Sequence, residues 1–160
     1  PLRSRSRLRQ FDCRPCKVPG QGLSVYLFDT NVLSEITNRR PNAAVVQKLM
    51  ACDPALRFAS EITRYELRYG AGLLPPGNPM WQRIVDEVLP RCTWLPIDAE
   101  VCMVTADLTA QLRRNGRSLD WADLFIAATA RVHGLIVVTR NVRHFDRIDS
   151  LSIENWFPAG

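Results

Sequence analysis

The sequence predicts a three-layer α/β/α fold built around a central, mainly parallel β-sheet. Segments with strand composition alternate with segments of helical spacing along most of the chain, which is the order that parallel sheets require. Two strand segments, "VYLF" at 25–28 and "LIVVT" at 135–139, are apolar throughout, as strands are when both of their faces are covered. We therefore expect helices on both faces of this sheet.

The remaining elements follow from composition, spacing and end signals. Strands are predicted at 25–29, 56–60 ("LRFAS"), 93–97 ("TWLPI") and 135–139, and "SLSIEN" closes the fold. Helices are predicted at about 31–38, 41–50, 63–70, 80–89, 99–115 and 121–133. The loop "GLLPPGNP" separates two of these helices, and Gly116 and Gly134 lie where carboxyl-terminal caps belong.

Length and charge indicate one soluble domain preceded by a basic extension. The chain has 160 residues and a net charge of +5. Residues 1–24 contain six of the 21 basic residues but only one of the 16 acidic residues, so residues 25–160 are neutral overall. We expect residues 1–24 to be a disordered extension of upstream or vector-derived sequence, with a transit peptide or an RNA-binding arm as the alternatives. Residues 25–160 are expected to form the folded domain.

The five cysteines indicate reduced thiols in the cytoplasm. Cys52, Cys92 and Cys102 lie among apolar residues, as small core residues do. Cys13 and Cys16 form a single CxxC motif without the further ligands that a zinc site needs. No apolar stretch approaches the roughly 18 residues of a membrane span.

Three acidic residues lie at predicted element boundaries that share one edge of the sheet. Asp29 ends the first strand, where an exposed tip would keep its carboxylate hydrated. Glu66 and Asp123 lie in the first turns of two predicted helices. Ligands of open α/β sheets bind at this edge. Carboxylates that are crowded together repel one another unless a cation neutralises them. Oxygen ligands without cysteine or histidine favour Mg²⁺ or Mn²⁺ over zinc.

Each acid also has a purely structural explanation. "TRYE" at 63–66 matches a capping box, in which Glu66 would bond a backbone amide at the helix start. Asp120 and Asp123 flank another helix start, where acids favour the positive end of the helix dipole. Asp29 could be a turn acceptor. Spacing alone leaves both explanations open.

Four segments, taken together, resemble the PIN-domain family, and most closely its VapC and FitB-like toxin ribonucleases. They are "VYLFDTNVLSE" (25–35), "ASEITRYELRYGA" (59–71), "DWADLFIAATARVHGLIVVTRNVRHF" (120–145) and "ENWF" (154–157). The resemblance covers essentially all of 25–157, and it implies a PIN-like α/β/α nuclease domain over 25–160. It also implies a Mg²⁺- or Mn²⁺-dependent endoribonuclease, the toxin of a type II toxin–antitoxin pair.

The resemblance also assigns roles to individual residues. Asp29 and Asp123 would hold metal, and Glu66 would complete the acidic cluster and help to position water or a second ion. Thr139 would offer its hydroxyl to metal-bound water or to phosphate. Asn31 would fix the loop of Asp29 by hydrogen bonds or contact substrate.

Two positions depart from the family pattern. Asn141 stands where a fourth acid is common, and His144 replaces an Asp that is common before the Phe. Both changes put a second metal site in doubt. Asp120, one turn before Asp123, is an extra acid that could compensate in part.

The implied partners are an RNA substrate, a second copy of the chain in a homodimer, and a VapB-like antitoxin. The antitoxin would wrap the toxin with a helical segment and place a basic residue among the acids. Two candidate sets for RNA contact are the tryptophans (Trp81, Trp94, Trp121, Trp156) and six arginines (Arg64, Arg68, Arg113, Arg114, Arg117, Arg140). Core or interface packing is favoured for the tryptophans, and the arginines fit solvated helix faces equally well.

Two other classes of function are considered. A PIN-like module that has lost catalysis with its fourth acid would bind RNA or a protein without cutting. A phosphotransferase of the haloacid dehalogenase type would need a second Asp two residues after Asp29, where this chain has Asn31.

Overall fold

The strands form one parallel sheet. The computed structural model describes residues 24–158, so the predicted extension lies outside the described residues except for Ser24. The strands are β1 (Tyr26–Phe28), β2 (Arg57–Ser60), β3 (Thr93–Leu95), β4 (Ile136–Val138) and β5 (Ile153–Glu154). They follow the order β3-β2-β1-β4-β5, and every neighbouring pair is parallel. The predicted parallel sheet is confirmed, with β1 at its centre.

The helices occupy the predicted positions, apart from the short first helix, the earlier start of α3 and the additional helix α7. They are α1 (Thr30–Leu33), α2 (Ala43–Ala51), α3 (Glu61–Gly72), α4 (Met80–Glu87), α5 (Ala99–Arg114), α6 (Trp121–His133) and α7 (Val142–Phe145). The helix predicted at 31–38 is only a four-residue helix followed by a 3-10 turn at Ser34–Ile36. Helix α7 was not predicted, because its four residues are too few to show a helical period.

Side chains of the central strands alternate between two apolar cores. Leu27 and Val137 belong to one buried cluster, whereas Phe28 and Val138 belong to the other. Helices α5 and α6 complete the first cluster, and helices α1 to α4 complete the second. This division of helices between the two faces is the predicted three-layer α/β/α fold.

The ends of α5 and α6 show why the sequence located these helices well. Gly134 ends α6 with a φ of 65°, and Gly116 follows α5 with the same φ. Glycine adopts this left-handed conformation without the steric cost that a side chain would add. Both predicted caps are confirmed.

The prediction for the cysteines is wrong at one position. Cys52 and Cys92 are partly buried, and burial raises the pKa of the Cys92 thiol to about 12. Cys102 is exposed, because it follows Val101 on α5 and therefore lies off the face that this helix packs against the sheet. Among residues 24–158, no helix has the length and apolar character needed to cross a membrane.

Candidate active site

Asp29 directly follows β1 and is buried. Its amide donates to the carbonyl of Val138 at 3.1 Å, which extends the β1–β4 ladder beyond the end of β1. Its Oδ1 accepts a hydrogen bond from the amide of Thr30 at 2.6 Å and caps α1. The side chain is only 4% exposed, so the expectation of an exposed strand tip is wrong. The loop that follows β4 covers it.

The second carboxylate oxygen of Asp29, Oδ2, links the loop after β4 to the segment that follows β1. Asp29 Oδ2 accepts from Asn31 Nδ2 at 2.5 Å and from Thr139 Oγ1 at 2.7 Å. Asn31 Oδ1 in turn accepts from the amide of Arg140 at 3.0 Å. Asn31 thus makes hydrogen bonds to both Asp29 and the loop after β4, and its role in the site stays a prediction. The carboxylate is therefore held in one orientation by residues of α1 and of the loop after β4.

Thr139 is fully buried and its hydroxyl is directed inward. Besides donating to Asp29, Thr139 Oγ1 accepts hydrogen bonds from the amide of Asn141 at 2.9 Å and from Asn31 Nδ2 at 3.2 Å. This differs from the expectation that the hydroxyl faces metal-bound water or phosphate. The physical reason is the position of Thr139 at the end of a strand that is covered on both faces.

Glu66 lies in the second turn of α3, one turn deeper than predicted. The helix begins at Glu61, with Ser60 as its cap, because the Ser60 hydroxyl accepts from the amide of Ile62 at 3.3 Å. The capping-box explanation for Glu66 is therefore wrong. Glu66 Oε2 instead accepts a hydrogen bond from the hydroxyl of Thr30, the residue after Asp29. This contact fixes Glu66 beside the end of β1.

Asp123 lies in the first turn of α6, as predicted, and pairs with His144 on α7. His144 Nδ1 is 2.8 Å from Asp123 Oδ2. The Asp123 side chain is 16% exposed and that of His144 is 51% exposed, so the pair borders solvent. Sequence reasoning noted His144 as a departure from the family pattern but missed this contact, because the short α7 was not predicted.

Asp120 and Asn141 have more limited contacts. Asp120 is the cap of α6, and its Oδ1 accepts from the amide of Ala122 at 3.0 Å. This is the structural role considered for Asp120. Asn141 is exposed, and the structure gives a hydrogen bond for its amide but no capping bond for its side chain.

The three acids influence one another electrostatically. Burial raises the pKa of Asp29, and the negative charge of Asp123 adds to that rise. Burial also raises the pKa of Glu66, with further contributions from Asp29, Asp123 and Asp120. The hydrogen bond from Thr30 places Glu66 beside the residue that follows Asp29, and the charge of Asp123 contributes to the pKa shifts of both Asp29 and Glu66. That all three acids share one site stays a prediction.

Their donor chemistry fits a hard divalent cation. A cation would offset the repulsion that adds to the effect of burial on both pKa values, and carboxylate oxygens are the ligands that Mg²⁺ and Mn²⁺ prefer. Among residues 24–158, no three Asp, Glu, His or Cys side chains are arranged to hold one ion jointly as they stand. Mg²⁺ usually binds through one or two carboxylates and takes its other ligands from water and phosphate. One or two of these acids would therefore suffice.

A cleft opens beside Glu66. It has a volume of about 320 Å³ and is lined on one side by polar groups, among them Thr30, Ser34 and Asn38. Leu67 and Ile84 belong to its apolar lining. Of the three candidate acids, Glu66 lines this cleft.

The chain is similar to proteins of one known family over most of its length. The model of the PIN domain family matches residues 26–151. VapC ribonuclease Y4jK of Sinorhizobium fredii is 36% identical over 138 residues, which cover 83% of this chain and 99% of that protein. Toxin FitB of Neisseria gonorrhoeae is 35% identical over 135 residues, covering 81% and 97% of the two chains.

Solved structures of toxin–antitoxin proteins superpose on this chain over most of its length. The crystal structure of FitAcB from Neisseria gonorrhoeae superposes with a TM-score of 0.76 at 34% identity, over 82% of this chain and 98% of that one. The DNA-bound VapBC of Salmonella typhimurium superposes with a TM-score of 0.73 at 29% identity, over 84% and 99%.

Proposed function

Because this chain belongs to the PIN domain family, we propose that it is a Mg²⁺- or Mn²⁺-dependent endoribonuclease that acts as the toxin of a type II toxin–antitoxin pair. The observation that carries the proposal is the position of Glu66 in an open cleft, where it accepts a hydrogen bond from the residue after Asp29 and where the charges of Asp29 and Asp123 add to the rise of its pKa. Relatives that match over most of the chain are named as ribonucleases and toxins, which supports this reaction class.

Asp29 and Asp123 would hold the metal, and Glu66 would complete the acidic cluster. Asp29 Oδ1 accepts one hydrogen bond and keeps a second acceptor site, and Asp123 borders solvent. The chemistry that a bound divalent ion supplies is neutralisation of charge and polarisation of the scissile phosphate and of a water molecule. These two acids are therefore the candidate ligands.

The other residues of the cluster have positioning roles in this proposal. Thr139 and Asn31 hold the carboxylate of Asp29, and Thr30 holds that of Glu66 at the cleft. Glu66 can orient the attacking water. The water oxygen bonds to phosphorus while the bond to the 3′ oxygen breaks, which leaves 5′-phosphate and 3′-hydroxyl ends.

The test is Asp123→Asn in the purified protein. The substitution removes one charge from the cluster but keeps the shape that contacts His144. We expect cleavage of structured RNA with Mn²⁺ to fall by more than about a hundredfold, since even a group next to a ligand is worth about 10–100-fold. Asp107→Asn, on an exposed face of α5, is the matched control. Parental cleavage rates in Asp123→Asn, or cleavage that persists in EDTA, would show that the proposed site is wrong.

A PIN-like binding module without catalysis is the second candidate function. It is favoured by the neutral, exposed Asn141 at the position of the fourth acid, and by the lack of a joint three-residue ion site in the described range. A titration of Mn²⁺ against structured RNA separates the two. Binding without any EDTA-sensitive cleavage would select the module.

We also propose an antitoxin partner at the acidic cleft. Solved structures of similar chains are of FitAcB and VapBC, the latter bound to DNA. An acidic cleft is a suitable receiver for an arginine, and its apolar lining suits a helical segment. Co-purification of this chain with the product of an adjacent small gene, lost on a charge-reversing substitution of Glu66, would support this site.

The expected homodimer has a candidate surface on α3. Tyr69 on α3 and Leu73 at its end are exposed four residues apart, so they lie on the same side of the helix. Together they form an exposed apolar patch, which is typical of interaction surfaces. Light scattering of Leu73→Glu should show a monomer if this surface mediates self-association. An unchanged mass would place the contact elsewhere.

A further inference from the structure

A second cavity lies between α5 and α6, distinct from the acidic cleft. It has a volume of about 280 Å³, and residues that line it include Thr109, Leu112, Arg113, Arg117, Trp121 and Phe125. We call it the Trp121 pocket. No group of the proposed metal cluster lines it. Its combination of aromatic walls and guanidinium groups requires a separate explanation.

Trp121 provides an exposed, oriented aromatic surface at this pocket. Its side chain is 48% exposed, whereas Trp156 is buried and Trp81 and Trp94 are partly buried. The indole meets the rings of Tyr65 and Phe125 edge to face, with centroids 5.5 and 6.3 Å away. These contacts restrict the orientation of Trp121 while almost half of its surface stays open to a ligand.

Positive charge surrounds the same pocket. Arg113 and Arg117 line it and are exposed, and no carboxylate of residues 24–158 forms a salt bridge with either. Arg147 reaches the rim, where its Nη1 donates to the carbonyl of Ser118 at 3.3 Å. Because residues 25–160 carry no net charge, this cluster reflects the arrangement of arginines and not a general surplus.

From this geometry we infer that the Trp121 pocket is a subsite for a nucleotide of the RNA strand near the cleaved bond, an inference that rests on the proposed function. A base stacks on the indole of Trp121, and its phosphate contacts Arg113 and Arg117. Trp121 lies two residues before Asp123 on one helix, and Tyr65 directly precedes Glu66. A helix is about 10–12 Å across with its side chains, so the pocket and the acids are expected to lie about that far apart. A few nucleotides of RNA would span this distance.

A second copy of the chain is a poorer occupant of the pocket. If the pocket lay at the axis of a two-fold interface, the arginines of one copy would face those of the other. Like charges that face one another oppose association. A polyanion with aromatic bases complements both the charge and the aromatic wall.

The experiment measures binding of labelled oligoadenylate in EDTA by fluorescence anisotropy of the label for every variant, alongside a separate cleavage assay with Mn²⁺. For Trp121→Ala we expect binding to weaken by roughly tenfold or more, since stacking on an aromatic side chain is worth that much per base. Trp121→Phe keeps a stacking surface, so anisotropy of labelled RNA should report affinity close to that of the parent. Met103→Ala, an exposed apolar change elsewhere on α5, is the control.

Two further measurements identify the contact. An abasic residue is placed in turn at each position of the oligoadenylate. At the position whose base stacks on Trp121, it should weaken binding to the parent protein. The same oligonucleotide should bind Trp121→Ala no more weakly than intact oligoadenylate does. Arg117→Ala should reduce the salt dependence of binding, with the slope of log K against log salt falling by about 0.7.

Unchanged affinity in Trp121→Ala while Asp29-dependent cleavage continues would overturn the subsite and leave the proposed function intact. Binding that depends on Trp121 without any cleavage would instead overturn the nuclease and keep the subsite. If Trp121→Ala changes only the mass measured by light scattering, the pocket is a contact between copies and the inference is wrong.

Discussion

The two halves of the acidic cluster are built differently. Asp29 is buried and accepts three hydrogen bonds, from Thr30, Asn31 and Thr139, so it is fixed by the ends of β1 and β4. Asp123 borders solvent, and its side chain has one contact, to an exposed histidine. The comparison indicates that the Asp29 carboxylate is rigidly held, whereas the Asp123 carboxylate can adjust its position to a ligand. Four variants test this difference in rigidity.

The largest effect is expected for Asp29→Asn. An amide in either orientation turns its NH₂ toward a donor, the Thr30 amide or the Asn31 side chain, so the local arrangement cannot be kept. We expect cleavage to fall by more than about a hundredfold, as for Asp123→Asn. Excess Mn²⁺ should restore part of the activity of Asp123→Asn but none of that of Asp29→Asn. Equal rescue of both variants would contradict the difference in rigidity.

The next effect concerns stability and is expected for Thr139→Val. Valine has the shape of threonine but cannot donate to Asp29 or accept from Asn141. A hydrogen bond to a charged group is worth about 1.5–3 kcal/mol, so the free energy of unfolding should fall by about that amount. Urea denaturation measures this.

Thr109→Val is the matched control for Thr139→Val, because the Thr109 hydroxyl bonds only a carbonyl one turn earlier in α5. Its unfolding free energy should change by less than about 1 kcal/mol. Similar losses in the two variants would show that the buried network has no special weight.

A smaller effect is expected for His144→Ala. The substitution frees Asp123 Oδ2 without disturbing the core, because His144 is half exposed. If His144 orients this carboxylate, Mn²⁺-dependent cleavage should fall by about 10-fold, at the low end for partners of metal ligands. Arg143→Ala, the exposed neighbour on α7, should cleave like the parent. Unchanged activity of His144→Ala would show that the pair is only a surface contact.

The smallest effect is the pH dependence caused by Glu66. Its pKa is raised by burial and by the neighbouring acids, so the folded state binds this proton more tightly than the unfolded state. Stability in EDTA should therefore fall as the pH rises from the ordinary Glu range through the folded pKa. Glu66→Gln keeps an acceptor for Thr30 and should flatten this slope and raise Tm by no more than a few degrees at neutral pH. A slope that is unchanged in thermal melts would contradict the electrostatic coupling.

Much of this molecule could be predicted from patterns within single segments. The apolar strands gave the position of β1 and β4, and Gly116 and Gly134 gave the ends of two helices. Asp29, Glu66 and Asp123 could be selected because parallel strands and the helices after them share one edge of the sheet. Boundaries that depend on a few residues were less predictable, as the start of α3 at Glu61 and the short α7 show.

The fold class, the family and the choice of three candidate acids could be read from the sequence, because apolar period, helix caps and motif order are local properties of the chain. The tertiary structure alone decided that Asp29 is buried, that Thr139 faces inward, that His144 contacts Asp123 and that Trp121 borders a pocket with arginines. Each of these depends on which side chains from distant segments pack against one another, and burial, hydrogen bonding and charge coupling exist only after that packing.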